Sequence, residues 1–447
     1  MRSVLWIFIL AFFGLGQAQA ADTQNLLQIY QQALQHDPVW ASAQSANRGM
    51  QEKLVQSKAQ YLPTVTFNAG ASASQTDVKY VGSGSIYKTE GRQSFEGYNY
   101  GLSVSQPLYR QQIRVQLAQA KSLVDQADKQ LVLAQQNLIL RSSKVYFDVL
   151  MAQDKVELIH AQQLAIKQQL EQAKANFDVG TATITDFNEA QARFDLVQAQ
   201  EIAAVSDLEI KKRAIQAVIG QLAAPLSGVR NDLQPSLPEP VDMEKWVAMA
   251  EQNNLSILIQ QQALEVATQE VDRQNAGHMP TLDAVGSYVD TYSNGGISGF
   301  GNDLKNATIG LQLQIPIYQG GAVSSKVREA VANKEKAADD LEQARRQADL
   351  DARQAYLNLV SSVSQIKAYE QALTSSQSQL DSTVLGYEVG VRTSVDVLNA
   401  QQQFFGAKRD LLQARYTYLM NIIALKAATG LLAEVDVDAV NQQLVSN

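Results

Sequence analysis

Cysteine is absent from the 447 residues. That rules out a disulfide framework and any thiolate-ligated metal or redox centre, and it argues against an N-terminal lipid anchor on cysteine. Histidine is nearly absent: His36, His160 and His278 are far apart and lack metal-ligand spacing, so neither a metal nor another cofactor is expected. Net charge is −8 and no Lys/Arg block stands out, so nucleic acid is not an expected partner. The glycine-rich stretches Gly82-Ser-Gly-Ser and Gly295-Gly-Ile-Ser-Gly lack the Lys-Ser/Thr of a phosphate loop and the Gly-x-Ser-x-Gly of a nucleophile elbow. No enzymatic chemistry is expected. Beyond the N-terminus no run of ~18 apolar residues exists, so no transmembrane helix is expected. If the chain enters a membrane, it does so by strands.

Glycine (25) and proline (9) are scarce for this length, and alanine and glutamine are plentiful. The scarcity is concentrated: Gln111 to Asn176, 66 residues, contains neither glycine nor proline, and nor does Ala322 to Leu385. The first stretch alone predicts ~100 Å of helix at 1.5 Å per residue. Its seam of Leu131, Ala134, Leu138, Arg141, Val145, Val149, Ala152, Val156 and Ile159 steps at an average of 3.5 residues, the coiled-coil period, with Arg141 the polar exception. A second stripe of Leu133, Leu140 and Phe147 lets this helix pack on two neighbours.

The N-terminus reads as a secretory signal. Arg2 precedes the apolar stretch Val4 to Gly16, and Ala18-Gln19-Ala20 is a small-x-small cleavage site. Ala21 is the expected mature start. Residues 22–60 read as helix interrupted at His36-Asp37-Pro38, with Asp37 as N-cap and Pro38 at the first helical position. At Thr64 the period changes to two. Val65, Phe67, Ala69, Ala71 and Ala73 alternate with polar residues, and so do Tyr98, Tyr100, Leu102 and Val104. Two strands of about ten residues are expected, the second ended by Pro107, with a loop from Val81 to Ile86 between them.

The pattern then repeats. Asn254 stands where Asp37 stood, Thr281 to Asp290 and Ile309 to Ile317 read as strands, and Pro316-Ile-Tyr318 echoes Pro107-Leu-Tyr109. Gly430 matches Gly220 as a helix stop. The expected organisation is a signal peptide (1–20), a first repeat (21–220), a proline-rich crossover (221–242), a second repeat (243–430) and a short, weakly patterned tail (431–447).

The clearest repeat lies at two turns. Phe177-Asp-Val-Gly180-Thr-Ala-Thr183-Ile-Thr-Asp186 and Tyr387-Glu-Val-Gly390-Val-Arg392-Thr393-Ser-Val-Asp396 sit 210 residues apart, each between helical patterns. Both read as the tip of a long helical hairpin, with a glycine turn and a Thr/Ser start to the return helix. Four strands cannot close a barrel, and an open sheet edge in lipid leaves backbone groups unpaired. A membrane reading therefore forces oligomerisation, and three chains would supply twelve strands.

With its paired halves, with Gln106-Pro107-Leu108-Tyr109 and Ile315-Pro316-Ile317-Tyr318, and with the second tip from Tyr387 through Asp396, the chain resembles the TolC efflux family over essentially its whole mature length. The resemblance implies a mainly α protein with a β-barrel part. It would be a homotrimer with a 12-stranded barrel in outer-membrane lipid of a Gram-negative bacterium, continued by a periplasmic α-helical barrel that tapers at the tips. It further implies an exit duct for drug efflux or type I secretion, with a periplasmic adaptor and an inner-membrane pump or ABC exporter as partners. A periplasmic adaptor or coiled-coil surface protein without a pore is the rival reading. The family's gate latch maps to Asp195, Tyr387 and Arg392. Asp396 and Asn399 map to a pore-constriction ring, where the family often has a second Asp at position 399. Asp396 is otherwise read as a first-turn acid behind a Ser394 N-cap. Gly180, Thr183, Gly390 and Thr393 are the expected adaptor contacts at the tips, and Pro107 and Pro316 mark the strand-to-helix transitions.

Overall fold

The computed structural model describes residues 23–81, 90–230, 232–296 and 299–444. The expected signal segment and most of the loop after Val81 lie outside them. The elements are α1 (Leu26–His36), α2 (Pro38–Ala59), β1 (Thr64–Val78), β2 (Gly91–Tyr109), α3 (Gln111–Asp178), α4 (Ile184–Ile219), α5 (Met243–Asn253), α6 (Leu255–Asn275), β3 (Thr281–Ser293), β4 (Asn302–Gln314), α7 (Ala322–Glu388), α8 (Ser394–Ala428) and α9 (Glu434–Asn441). They divide into two compact units that cut across the sequence repeats. One holds residues up to Trp40, Gln135–Trp246 and those from Ala352 on; the other holds Ala41–Ala134 and Val247–Asp351.

The second unit carries the strands. They form one antiparallel sheet in the order β1-β2-β3-β4. The register sets Phe67 opposite Leu102, Leu102 opposite Tyr288, and Tyr288 opposite Ala307, so the apolar alternation of all four strands falls on one face. That face is open: Phe67 is 64% exposed and Ile309 95%. The other face carries Thr66, Asn68, Ser103, Asn99, Ser287, Thr291, Thr308 and Asn306. Among the described residues, the outer edges of β1 and β4 have no strand partner.

The strands are longer than expected, 15 and 19 residues for β1 and β2. The apolar alternation marks only the portion with one oily face, and pairing continues beyond it through polar residues. Pro107 does not end β2. The strand continues to Tyr109 with a register shift between Pro107 and Tyr109, because a bulge accommodates a residue that has no N–H to donate. Directly after it, Arg110 grips Asp283 of β3 with Nε and Nη2 at 2.8 and 2.5 Å, fixing where the strand becomes α3. Pro316 behaves differently. β4 stops at Gln314, so Ile315 and Ile317, expected in the strand, lie beyond it on the approach to Pro316 and α7. In the helical part of this unit, Ile257 of α6 packs with Leu341 and Ala348 of α7, and Asn254 caps α6 by accepting from the Ser256 N–H.

The first unit is helical. In α1, Leu26, Ile29, Tyr30 and Ala33 are fully buried; α1 packs on α4 and α9, and α8 packs on the same two helices. Arg141, the exception in the seam of α3, is explained by Asp37: the guanidinium lies 2.9 Å from a carboxylate that is 3% exposed and also accepts from the Trp40 N–H at 2.7 Å. Tyr146 donates to the Ser227 carbonyl at 2.6 Å, and Ser236 N–H donates to the Tyr418 hydroxyl at 3.0 Å. The crossover is thereby packed into this unit. The tail forms α9, with Val437 and Val440 buried; one turn-spaced pair is too short a pattern to register as periodicity.

Candidate functional site

The two tips share one backbone. In the first, the carbonyl of Asn176 accepts from the N–H groups of Thr181 and Ala182 at 2.8 and 3.2 Å; in the second, the carbonyl of Gly386 accepts from Val391 and Arg392 at 2.9 and 3.1 Å. Gly180 and Gly390 both have φ +79°, a left-handed conformation that side chains with a Cβ disfavour. Thr183 and Thr393 are the N-caps. Each hydroxyl accepts from the N–H three residues on, and Asp186 or Asp396 reaches back to the cap. Thr393 thus takes the N-cap role expected of Ser394. Ser394 is the first helical residue, and its buried hydroxyl finds no hydrogen-bond partner among the described residues. α7 also runs through Gly386 rather than stopping near it. A Cβ there would lie 2.8 Å from Cγ of Arg392, so glycine leaves room for that side chain to fold back over the helix end.

Side chains distinguish the tips. At the second tip the Arg392 side chain is exposed, and among the described residues only its backbone N–H is hydrogen-bonded, to the Gly386 carbonyl. Asp396 is held below the usual carboxylate range by the N–H of Thr393 first, then its hydroxyl, with the Arg392 charge adding to the effect. It is an anion at neutral pH. Tyr387 accepts from Asn176 Nδ2 at 3.0 Å, a bond between the ends of α3 and α7. Asp195 accepts from Gln191 on its own helix at 2.8 Å. Within one chain, and among the described residues, no hydrogen bond or ion pair joins Asp195 to Tyr387 or Arg392.

Asn399 is engaged elsewhere. Its Oδ1 accepts from Arg193 Nη2 of α4 at 3.1 Å, while Arg193 Nη1 donates to Gln402 Oε1 at 2.6 Å. Sequence reasoning missed Asn176, Arg193 and Gln402. One signal was available for Arg193: it is the only Lys or Arg between Thr183 and Lys211. Beneath these polar ties lies an apolar seam of Ile166, Ala173, Ala190, Val197 and Leu398, with Phe194 against it. A groove of about 380 Å³ continues along it, between Leu158 and Ile159 of α3, Val197 of α4 and Phe405 of α8. Among the described residues no group of His, Asp and Glu is arranged to hold a metal, and no helix is long and apolar enough to cross a membrane.

The arrangement offers hydrogen bonds that can be broken and remade, and fixed charge at a turn. Comparison with known proteins gives this geometry its setting. A family model described as outer membrane efflux protein matches residues 29–221 and 246–431. The outer membrane protein TolC of Vibrio cholerae is 33% identical over 446 residues, covering 99% of each chain. The alkaline protease secretion protein AprF of Pseudomonas aeruginosa is 29% identical, covering all of this chain and 92% of its own. The crystal structure of the Campylobacter jejuni CmeC outer membrane channel superposes with a TM-score of 0.78 at 17% identity, covering 95% of this chain and 90% of that one. The chain therefore belongs to the outer membrane efflux protein family, and is an outer-membrane exit duct for efflux and type I secretion with its helical part in the periplasm.

Proposed function

We propose that the channel is a homotrimer without catalytic activity, closed at rest by its helical tips and opened there by a periplasmic adaptor coupled to an inner-membrane pump or ABC exporter. Trimerisation is supported by the sheet: its two outer edges, unpaired among the described residues, are satisfied in lipid when β4 of one copy pairs with β1 of the next, closing twelve strands. The open apolar face then meets lipid and the Ser/Thr/Asn face meets water. The name of the Pseudomonas relative favours exported protein as one cargo.

The observation that carries the gate is the inequality of two tips with one backbone. Gly180, Thr183, Gly390 and Thr393 build identical turns, suited to a repeated adaptor contact, and each tip has an N3 carboxylate, but only the second adds a hydroxyl, Tyr387, and a cation, Arg392, where the first has Phe177 and Ala182. Asp195 and Arg392, neither of them paired across the hairpins within a chain, form the latch with Tyr387 when a neighbouring copy is present. Each such exposed pair contributes only ~0–1 kcal/mol, which suits a gate that cycles. Tyr387→Phe combined with Arg392→Glu is expected to raise single-channel conductance severalfold in planar bilayers; conductance equal to the parent channel would overturn the latch.

Asp396, ionised and repeated three times around the axis, forms a ring that favours cations. Asp396→Ala is expected to shift the reversal potential toward the anion side in asymmetric KCl, and an unchanged potential would remove Asp396 from the pore lining. Because Asn399 is neutral, the ring holds one carboxylate per chain at this level, and block by divalent cations should be weak.

A further inference from the structure

Arg193 is placed where no sequence pattern assigned a role. It lies on the return helix of the first hairpin, ten residues beyond the Thr183 cap, and its side chain is 30% exposed. All three faces of its guanidinium are used. Nε donates to Glu189 Oε1 of the same helix at 3.3 Å, Nη1 to Gln402 at 2.6 Å and Nη2 to Asn399 at 3.1 Å. Asn399 and Gln402 are three residues apart, so both amide oxygens stand on one face of α8. Glu189, one turn before Arg193, holds the fork in position. Among the described residues, the hydrogen bonds joining α4 to α8 all begin at Arg193. The clamp sits over Ala190, Val197 and Leu398 of the apolar seam, and Arg193 and Gln402 also line the groove beside it.

We propose that Arg193 is a gate clamp of this chain: an intrachain fork that ties the return helix carrying Asp396 to the first hairpin, and that must release for the second hairpin to move outward. The proposal rests on the gate reading above. It also gives Asn399 a second role, because the amide is the acceptor in the clamp. A planar fork that reaches two acceptors gives a defined geometry. Neutral amide acceptors keep the bonds charge-assisted on one side only, weaker than a buried ion pair and so reversible. The Tyr387–Asn176 bond ties the outgoing helices in the same way, so each hairpin is held to the other on both of its arms.

The test is single-channel recording of the full-length protein in planar bilayers, with Tyr387→Phe/Arg392→Glu measured in parallel. Arg193→Ala is expected to raise the open fraction about fivefold, the effect of losing one charge-assisted pair at a part-exposed site. Arg193→Lys, which keeps the charge but loses the fork, should lie between the two. Gln402→Ala should add little once Arg193 is replaced. Asn399→Asp should lower the open fraction in the parent, and this change should vanish with Arg193→Ala. An open fraction for Arg193→Ala equal to the parent's, or full additivity of Arg193→Ala and Gln402→Ala, overturns the clamp. If Arg193→Ala closes normally while Tyr387→Phe/Arg392→Glu opens, the clamp fails and the latch stands; the opposite result keeps the clamp and removes the latch. Should Arg193→Ala not assemble, Arg193→Lys with Gln402→Ala decides by the same criterion.

Discussion

Replacing Asp37 with alanine is expected to destabilise the helical unit by about 3 kcal/mol. A buried charge left without its partner costs roughly 3–5 kcal/mol, and an N-cap about 1 kcal/mol. Here one carboxylate serves both functions, and Arg141 is partly exposed and can turn to water, so the two costs overlap and the low end applies. The consequence is positional as well as energetic. Asp37 closes the joint between α1 and α2 and ties it to α3, so its loss should loosen the N-terminal helices before the tips. Asp37→Asn separates the contributions. An amide can still cap, as Asn254 does at the matching joint of the second half, but it cannot pair with Arg141 as an anion. The asparagine variant should therefore recover about 1 kcal/mol of the loss. Urea unfolding of the detergent-solubilised protein, followed by helical circular dichroism, measures both. Equal midpoints for Asp37→Ala and the parent would show that neither bond contributes.

Removing the hydroxyl of Tyr416 is the second large effect. It donates to Asp154 at 2.5 Å across the packed interior of the same unit. Burial raises the Asp154 carboxyl above its usual range, and the Tyr416 hydrogen bond opposes that rise. Burial, and next the carboxylate charge, push the Tyr416 hydroxyl up, so it remains a donor at every accessible pH. Tyr416→Phe leaves a half-buried carboxylate short of a donor, at a cost of about 1.5–3 kcal/mol. The sign of the pH dependence follows from the raised value. The folded state binds this proton more tightly than the unfolded chain, so the group's contribution is fully present below the ordinary carboxylate pKa. It is lost as pH rises through the raised one. The penalty of Tyr416→Phe should accordingly be greatest at neutral pH and shrink in acid. Asp154→Asn, which keeps an acceptor but carries no charge, should flatten the pH slope. A penalty that is independent of pH would mean that Asp154 does not ionise in the folded channel.

These bonds differ in how visible they were beforehand. Asp37 was legible as a cap because capping is a local geometry, set by a residue and the few that follow it. Its pairing with Arg141 was not, although Arg141 was conspicuous as the polar member of an apolar seam. The pair links residues more than a hundred positions apart, and nothing in either segment names the other. Asp154 and Tyr416 lie further apart still, and each is unremarked in its own helical pattern.

The tips show the same division. Glycine, threonine and aspartate at fixed offsets specify the turn and the capping box wherever they occur, so both tips could be read from the chain alone, even to their common backbone. The cap fell on Thr393 and not Ser394 because one residue's extended φ/ψ decides which hydroxyl faces the helix N–H groups. The partners across the tips follow from the packing of α4 on α8, which brings Arg193 to Asn399, and from the meeting of the ends of α3 and α7, which brings Asn176 to Tyr387.

What the amino-acid order determined by itself was therefore everything periodic or local. That includes the duplicated plan, the long unbroken helices, the two-residue alternation of the strands and the chemistry of the turns. Each is dictated by backbone sterics and by apolar burial at a fixed spacing. Only the tertiary structure decided the true strand lengths and the bulge at Pro107, the division into units that each draw on both repeats, and the polar ties that hold the hairpins. Those depend on lateral contacts between segments distant in the chain, where a glutamine, asparagine or arginine becomes a tie or stays a solvated surface group according to what packing places opposite it.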